Sequence, residues 1–541
     1  MKLIHATQYN PHTGAHHLPQ RDNHLTHKSD HDIHLNIDIL HQYLPFASEP
    51  HSMSTTDLGL SAARELFKNT GISAHTLDSI VVATSTAERG FPSDACLIQL
   101  GLDARNVNYA IDVNAYPDNP YVGIYTALSS PSYSNKGHKL VIITDNHHKW
   151  EKLGQGNEPP KYLGSAIALL FLNTTECRYP AEIRHLPYLA TGHYLPGAAI
   201  TNEDIVRMVP ELNQYDQDEQ RVKTFPSSIP WIESMVGTKV RHTSKPDEDC
   251  VDLTEQALSK IQKRHPFPID QLNTIIVSTI SASQDLYNPA CNNAGNPKHS
   301  VVPVARRLAE RIGANPDYTV DVGAACAGFA IANYLANTAP RPIRLLRYGY
   351  SLLFGVEQLS RMIDFNDDRD SNLVLFGDGC GGILQGPPSF YQPHVGLHSI
   401  STTSFPFDGR AMDIFRNERG LIRMPNGSRV LKDATRSMIE NAHAAMEYAG
   451  WTKDMIDLMA PHQANQRIID AVIRKDGLDP AIVLQTIDRT ANISNATIPV
   501  GLSLLEEEGK IQYLSREEKG MKIVMTQFGS GEVGSAIAAQ F

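Results

Sequence analysis

The strongest constraint on what this chain can fold into is an order of elements that occurs twice. Apolar, β-branched runs alternate with amphipathic stretches along most of the length, the pattern of strands joined by crossover helices. "LDSIVVATS" (77–85) and "LNTIIVSTI" (272–280) read as buried parallel strands. Each follows a helical stretch that opens with Asp-Leu, at Asp57 and at Asp252. Each then leads through a loop and a helix into a second strand, "NYAIDVNAYPDN" in one case and "DYTVDVGAACAG" in the other. Later runs correspond as well: "HKLVIITDN" (138–146) with "IRLLRYGYS" (343–351), and "YLGSAIALLFL" with "LVLFGDGCGGIL". Four correspondences in one order point to duplication rather than to chance likeness. The expected architecture is α/β in three segments: 1–180, its repeat 181–390, and 391–541, which follows the same grammar with different turns. A length of 541 residues also exceeds what one core usually serves.

Composition narrows the function classes. Apolar content of 41% and charged content of 20% suit a globular protein. A formal charge of −11 argues against a phosphate-tracking surface, so no nucleic-acid partner is expected. Cys96, Cys177, Cys250, Cys291, Cys326 and Cys380 are widely spaced with no CxxC pair. Reduced thiols and a cytoplasmic location follow as expectations, with neither a disulfide framework nor a thiolate zinc site. The opening "MKLIHATQYN" has no apolar signal core and no run of 18 apolar residues follows, so no membrane association is expected. Ten of the 23 histidines fall between His5 and His51. Their spacings fit no compact ligand set, and the stretch reads as a solvated connection rather than a metal site.

Four short stretches could carry chemistry. In "DVGAACAGFA" (321–330), Cys326 stands where a strand turns into a helix. Unpaired N–H groups and the positive end of the helix dipole at such a junction favour the nucleophilic thiolate. Small neighbours leave room for a carbonyl to approach, although a buried structural cysteine fits this stretch equally well. In "APHQANQR" (460–467), His462 sits at a strand end, where α/β sites are built. Asn492 lies in the polar turn "TANISNATIP" (490–499), and "TQFGSGEVGSA" (526–536) is a glycine-rich turn after a strand. Singly, each of these has an ordinary structural reading.

Together and in this order they resemble the beta-ketoacyl-[acyl-carrier-protein] synthase III family of the thiolase superfamily. The likeness runs from about Ile183 to Phe541, through "YLATGHYLPG…TNEDI", "DVGAACAGF", "FGDGCGG", "PHQANQRII", "NISNATIP" and "FGSGEVGSA". It implies a layered α-β-α-β-α thiolase-like fold with an additional, non-catalytic thiolase half at the N-terminus. It places a Cys-His-Asn set on Cys326, His462 and Asn492. Cys326 would form an acyl thioester, and His462 and Asn492 would hold the enolate left when a malonyl thioester loses CO₂. Backbone N–H groups of Cys326 and Ser530 would form the oxyanion site. No metal or redox cofactor is implied, acyl-coenzyme A or acyl carrier protein being the substrate. Two alternatives are an acyltransferase on the same scaffold, making an ester or amide, and a non-catalytic scaffold that binds carrier proteins. Asn492 favours condensation, since simple acyl transfer needs no enolate-stabilising amide. An HMG-CoA-synthase-like activity lacks a clear glutamate base.

Three departures from the family qualify what the resemblance implies. The last turn reads Gly529-Ser530-Gly531 instead of three glycines, which a backbone donor tolerates where φ is negative. Trp231 and Arg369 match the pair that sandwiches adenine, but Met235 replaces an arginine and shifts the balance toward a carrier-protein donor. Arg467 matches a basic position where an acidic carrier protein docks, and a surface charge at a helix start reads equally well. The third departure is the N-terminal copy, which has Pro117 opposite Cys326 and so has no nucleophile there. Its "TSTAERGFPSDACLIQLGL" (84–102) is similar to the family's acyl-pocket segment, whose phenylalanine enters the partner subunit. The first segment is therefore expected to stand in for a dimer partner and deliver Phe91 to the Cys326 pocket, in a homodimer or in a monomer with an internal pseudo-dimer. A plain core aromatic is the other reading of Phe91.

Overall fold

The computed structural model describes residues 2–10, 14–17, 53–131, 137–154, 157–160, 162–172, 183–197, 199–216, 218–282, 301–338, 349–365, 369–387, 395–405, 413–513 and 519–541, with side chains from 53 onward except at 152–153. Cys177, Cys291, most of the histidine-rich stretch and residues 283–300 lie outside the described residues.

The first segment holds β1 (Lys2–Asn10), β2 (Gly14–His17), α1 (Thr55–Thr70), β3 (Leu77–Ala83), α2 (Asp94–Gly101), β4 (Tyr109–Asn114), α3 (Asn119–Ser129), β5 (His138–Thr144), α4 (His147–Leu153) and β6 (Ala166–Leu172). The second begins with β7 (Tyr188–Tyr194), β8 (Ala199–Thr201), α5 (Asn202–Met208), β9 (Glu211–Tyr215), β10 (Arg221–Pro226), α6 (Ile229–Met235) and β11 (Val240–His242). It continues with α7 (Cys250–Arg264), β12 (Leu272–Ser278), α8 (Val304–Arg311), β13 (Tyr318–Gly323), α9 (Gly328–Thr338), β14 (Tyr350–Gln358) and β15 (Asp378–Gln385). The third holds β16 (Gly396–Ser404), β17 (Phe415–Arg416), β18 (Ile422–Arg423), α10 (Gly427–Tyr448), β19 (Leu458–Pro461), α11 (Gln466–Asp476), α12 (Ile487–Thr490), α13 (Thr497–Glu507), β20 (Lys522–Gly529) and β21 (Val533–Gln540).

The Asp-Leu openings have a local cause. Asp57 donates its N–H to the Ser54 side chain at the start of α1, and Asp252 forms a reciprocal capping box with Asp249 at the start of α7. β3 and β12 are buried along their whole length, as a strand covered on both faces must be. Of the stretch 343–351 read as a strand, residues 343–348 lie outside the described residues; β14 takes in Tyr350 and Ser351 and runs on to Gln358. Tyr350–Gly355 pairs in parallel with Leu272–Ser278 of β12, and that pairing sets the register.

Eleven described strands form one sheet in the order β2-β1-β6-β5-β3-β4-β13-β12-β14-β15-β7. Read outward from its centre, β4-β3-β5-β6-β1 and β13-β12-β14-β15-β7 have the same order and the same succession of parallel and antiparallel pairings. The halves meet through an antiparallel β4–β13 pair in which Val113 faces Val322. These valines hold equivalent places in their copies, so the register is the one that a two-fold axis between two identical halves would impose. A second sheet, β16-β21-β20-β19, repeats the pattern again, with a parallel Met459–Val483 bridge where a fifth strand would lie. α9, buried over all its residues, lies between the two sheets, and α10 covers the far face of the smaller one. This is the layered α-β-α-β-α arrangement.

Candidate active site

Cys326 sits in the turn between β13 and α9. Ala325 takes a left-handed φ of 48°, and the Ala327 N–H closes on the Ala324 carbonyl at 3.0 Å. Among the described cysteines Cys326 alone is partly exposed; Cys96, Cys250 and Cys380 are buried. Burial works against the thiolate that such a junction favours. Burial pushes the Cys326 thiol up to about 12; the Ser494 hydroxyl pulls against that and the Glu357 carboxylate adds to it. Carboxamides answer two of the N–H groups at the helix start. Asn495 Oδ1 accepts from Gly328 N at 3.0 Å and Gln527 Oε1 from Ala330 N at 2.8 Å.

His462 follows β19, its N–H bonded to the Thr526 carbonyl at 2.8 Å. Burial pushes the imidazole down to about 3, so it is neutral at physiological pH. Its Nδ1 lies 2.7 Å from Thr497 Oγ1, which in turn lies 2.9 Å from the Ser494 carbonyl. A hydroxyl has one proton, so Thr497 serves either neighbour and thereby permits either tautomer of His462. Asn492 is held at both ends of its amide: Oδ1 accepts from Ser494 N at 2.9 Å, and Nδ2 donates to the Ala464 carbonyl at 3.2 Å. One N–H of Nδ2 remains for a ligand.

The turn from β20 to β21 closes the site. A Cβ on Gly529 would lie 2.5 Å from Cys326 N, so only glycine lets these backbones approach so closely. Gly531 and Glu532 carry the left-handed conformations, φ 81° and 50°, and Ser530 does not. The serine is therefore accommodated, its hydroxyl donating to the Ile414 carbonyl.

Cys326, His462, Asn492 and Ser530 all line one cavity of about 500 Å³. Phe91 lines it too, 2% exposed, its carbonyl accepting from Arg416 N at 3.2 Å. Trp231, Met235 and Arg467 stand on the same wall system, whereas Arg369 does not line the cavity. Trp231 packs against Phe225, with ring centroids 4.8 Å apart. Sequence reasoning passed over Ser494, Asn495, Thr497, Gln527 and Glu357. Glu357 had a readable signal, a lone carboxylate inside the apolar strand "SLLFGVEQ". It is fully buried, accepts from Ser281 Oγ, Ile280 N and Asn495 Nδ2, and burial raises it to about 7.

A thiol, an imidazole and a carboxamide lining one cavity beyond the ends of β13 and β19, in a layered α-β-α-β-α frame, mark a condensing enzyme of the thiolase fold. Two models of 3-oxoacyl-[acyl-carrier-protein] synthase III, one of the family and one of its C-terminal part, match residues 320–395 and 446–541. The chain is 30% identical over 353 residues to beta-ketoacyl-[acyl-carrier-protein] synthase III of Geobacillus kaustophilus, covering 65% of this chain and 98% of that protein. It is 31% identical over 353 residues to the protein of the same name from Desulfitobacterium hafniense, covering 63% and 94%. The crystal structure of 3-oxoacyl-[acyl-carrier-protein] synthase III from Aquifex aeolicus superposes with a TM-score of 0.53 at 27% identity, over 66% of this chain and 100% of that one. The chain belongs to the beta-ketoacyl-[acyl-carrier-protein] synthase III family. No helix among the described residues is long and apolar enough to cross a membrane, and no group of His, Cys, Asp and Glu among them could hold a metal.

Proposed function

We propose that the chain catalyses decarboxylative Claisen condensation of an acyl thioester with a malonyl thioester, in fatty-acid or polyketide-type synthesis. The observation that carries the reading is the convergence of Cys326, His462 and Asn492 on one cavity beside the Gly529–Ser530 turn. In the first step the Cys326 sulfur attacks the acyl carbonyl while its proton passes to His462 Nε2. The bond to the donor sulfur breaks, and that sulfur leaves with the proton. The Cys326 and Ser530 N–H groups hold the carbonyl oxygen during the attack. In the second step the malonyl thioester loses CO₂, and the electron pair of the broken bond spreads onto its thioester oxygen. His462 Nε2–H and the remaining Asn492 N–H donate to that oxygen, each worth about 3 kcal/mol. The new carbanion attacks the acyl-cysteine and expels the Cys326 thiolate, which takes a proton from solvent. The first step needs a bare Nε2 and the second a protonated one, the two tautomers that Thr497 allows.

The first 180 residues, in this reading, occupy the place of a partner subunit, and Phe91 shapes the acyl end of the pocket in cis. The Val113–Val322 register and the placement of Phe91 on the Cys326 cavity support it. An acyl carrier protein is the proposed macromolecular partner, with Arg467 at its docking face. The test is intact-mass analysis after incubation with a panel of acyl thioesters, wild type beside Cys326→Ala. Malonyl carrier protein is then added to the acylated form. Released CO₂ with a lengthened product supports condensation; transfer to an alcohol or amine without CO₂ would replace it with the simpler acyltransferase.

A further inference from the structure

The turn that carries Cys326 is held by two carboxamides, and they anchor different peptide planes. Asn495 Nδ2 donates to the Ala325 carbonyl at 2.8 Å, while its Oδ1 accepts from Gly328 N at 3.0 Å. Gln527 Nε2 donates to the Cys326 carbonyl at 2.9 Å, while its Oε1 accepts from Ala330 N at 2.8 Å. Resting on the condensing-enzyme reading, we infer that Asn495, backed by Glu357, is the positioning residue that aims the Cys326 N–H at the substrate carbonyl oxygen. A peptide unit is planar and trans, so the Ala325 carbonyl and the Cys326 N–H point opposite ways. Anchoring that carbonyl therefore fixes the direction of the oxyanion donor. The plane that Gln527 anchors carries the Ala327 N–H instead, and this one is bonded to the Ala324 carbonyl at 3.0 Å.

The anchor works against local preference. Ala325 has φ 48° and Ser494, next to Asn495, has φ 46°. Left-handed backbone of this kind persists in residues with a Cβ only where the surroundings fix it. Here they do. Asn495 Oδ1 also accepts from Ser278 Oγ at 2.8 Å, and Nδ2 gives its second proton to Glu357 Oε1 at 2.7 Å. Both lone pairs and both protons of the carboxamide are then used. The Gly328 N–H can only donate and the Ala325 carbonyl can only accept, which leaves Asn495 one orientation. Glu357 is itself tied to Ile280 N at 3.2 Å and to Ser281 Oγ, and both Asn495 and Glu357 are fully buried. A Cβ on Gly328 would lie 2.9 Å from Asn495 Oδ1 and 2.2 Å from Ser278 Oγ, so glycine there makes room for the bridge. In the first copy the matching residue is Asn119, whose own carboxamide turns back onto Ala115 N at 2.6 Å.

The test compares two reactions at the same sulfur. Acylation passes through a charged carbonyl oxygen and needs the aimed N–H, whereas alkylation by iodoacetamide displaces iodide and makes no oxyanion. Acetyl-, hexanoyl- and decanoyl-coenzyme A, and the same groups on acyl carrier protein, are offered to the full chain, and adducts are timed by intact mass. Asn495→Ala should slow acylation by about tenfold or more while alkylation changes by less than about twofold. Gln527→Ala, which removes an equally buried carboxamide from the same turn, should slow acylation by less than about threefold. Glu357→Ala should fall toward Asn495→Ala, and Glu357→Gln, which keeps an acceptor oxygen, should retain more of the rate than Glu357→Ala. Asn495→Asp keeps the size and the oxygen for Gly328 N and carries the same expected loss, so it decides the outcome should the alanine variant not fold. Acylation at the wild-type rate in both Asn495 variants would overturn the inference alone. So would equal losses in acylation and alkylation, or equal losses in the Asn495 and Gln527 variants, each the mark of a merely structural role. No adduct on the wild type from any donor would instead bring down the reading of Cys326 and this inference with it.

Discussion

The two strand-to-helix turns, Asp112–Asn119 and Asp321–Gly328, are built on the same frame and do different things. In each, an aspartate at the strand end caps the preceding helix. Asp112 accepts from Asp94 N and Ala95 N at 2.8 and 2.9 Å, and Asp321 from Val304 N and Ala305 N at 2.7 and 3.0 Å. In each, a buried carboxylate at the end of the next strand ties down the loop that follows the first. Asp145 holds Ser85 N at 2.7 Å, and Glu357 holds Ile280 N at 3.2 Å; burial raises them to about 6 and about 7. The helices that follow, α3 and α9, both have 11 residues. What differs is the surroundings of the turn. Around Cys326 stand Asn495 and Gln527, carboxamides from the smaller sheet's segment. Around Pro117, Asn119 Oδ1 accepts from Ala115 N at 2.6 Å, Asn114 donates to the Val301 carbonyl at 3.0 Å, and Tyr116 packs at a tilt against Trp150 with ring centroids 5.2 Å apart. The carboxylates present in both copies serve the scaffold. The groups found around one copy alone are the ones that surround Cys326.

The largest effect that could break this contrast is transplantation of the thiol. Cys326→Ala should abolish acylation, and Pro117→Cys in that background should restore none, as read by intact mass; an adduct at 117 would show that the frame alone activates sulfur. Next, Asn492→Ala should lower condensation by 10²–10³-fold while acylation of Cys326 stays near normal, since the amide acts on the enolate and not on the thiol. Smaller is the effect of pH. With the thiol raised to about 12, Cys326 is protonated at neutral pH, and only the minor thiolate reacts with iodoacetamide. Alkylation should climb about tenfold per pH unit from 7 to 11; a plateau near neutrality would mean that the helix start does stabilise the anion. Smallest, Phe91→Ala should shift acyl-chain preference severalfold toward bulkier chains with little change in the malonyl step, measured as kcat/KM across a chain-length series. Unchanged preference would make Phe91 a plain core aromatic.

Much of this was legible from pattern. The paired strands and the Asp-Leu helix openings rest on local spacing, and the set at 326, 462 and 492 rests on the resemblance of short motifs to a family; both survive without coordinates. β14 shows the limit: the apolar run by itself does not say which residues face each other, and only pairing with β12 fixes the register of Tyr350–Gly355. Glu357 was passed over because a buried carboxylate is intelligible only once its partners are known. The raised Cys326 thiol was out of reach for a similar reason, since the burial that raises it comes from distant parts of the chain.

By itself, then, the chain's order of residues determined the duplicated α/β frame and which side chains are chemically able to act, because periodicity and residue type are properties of short stretches. Tertiary structure decided which groups meet: Phe91 with Cys326, Phe225 with Trp231, Val113 with Val322. It also decided their protonation, because desolvation and hydrogen bonding depend on neighbours contributed by distant parts of the chain.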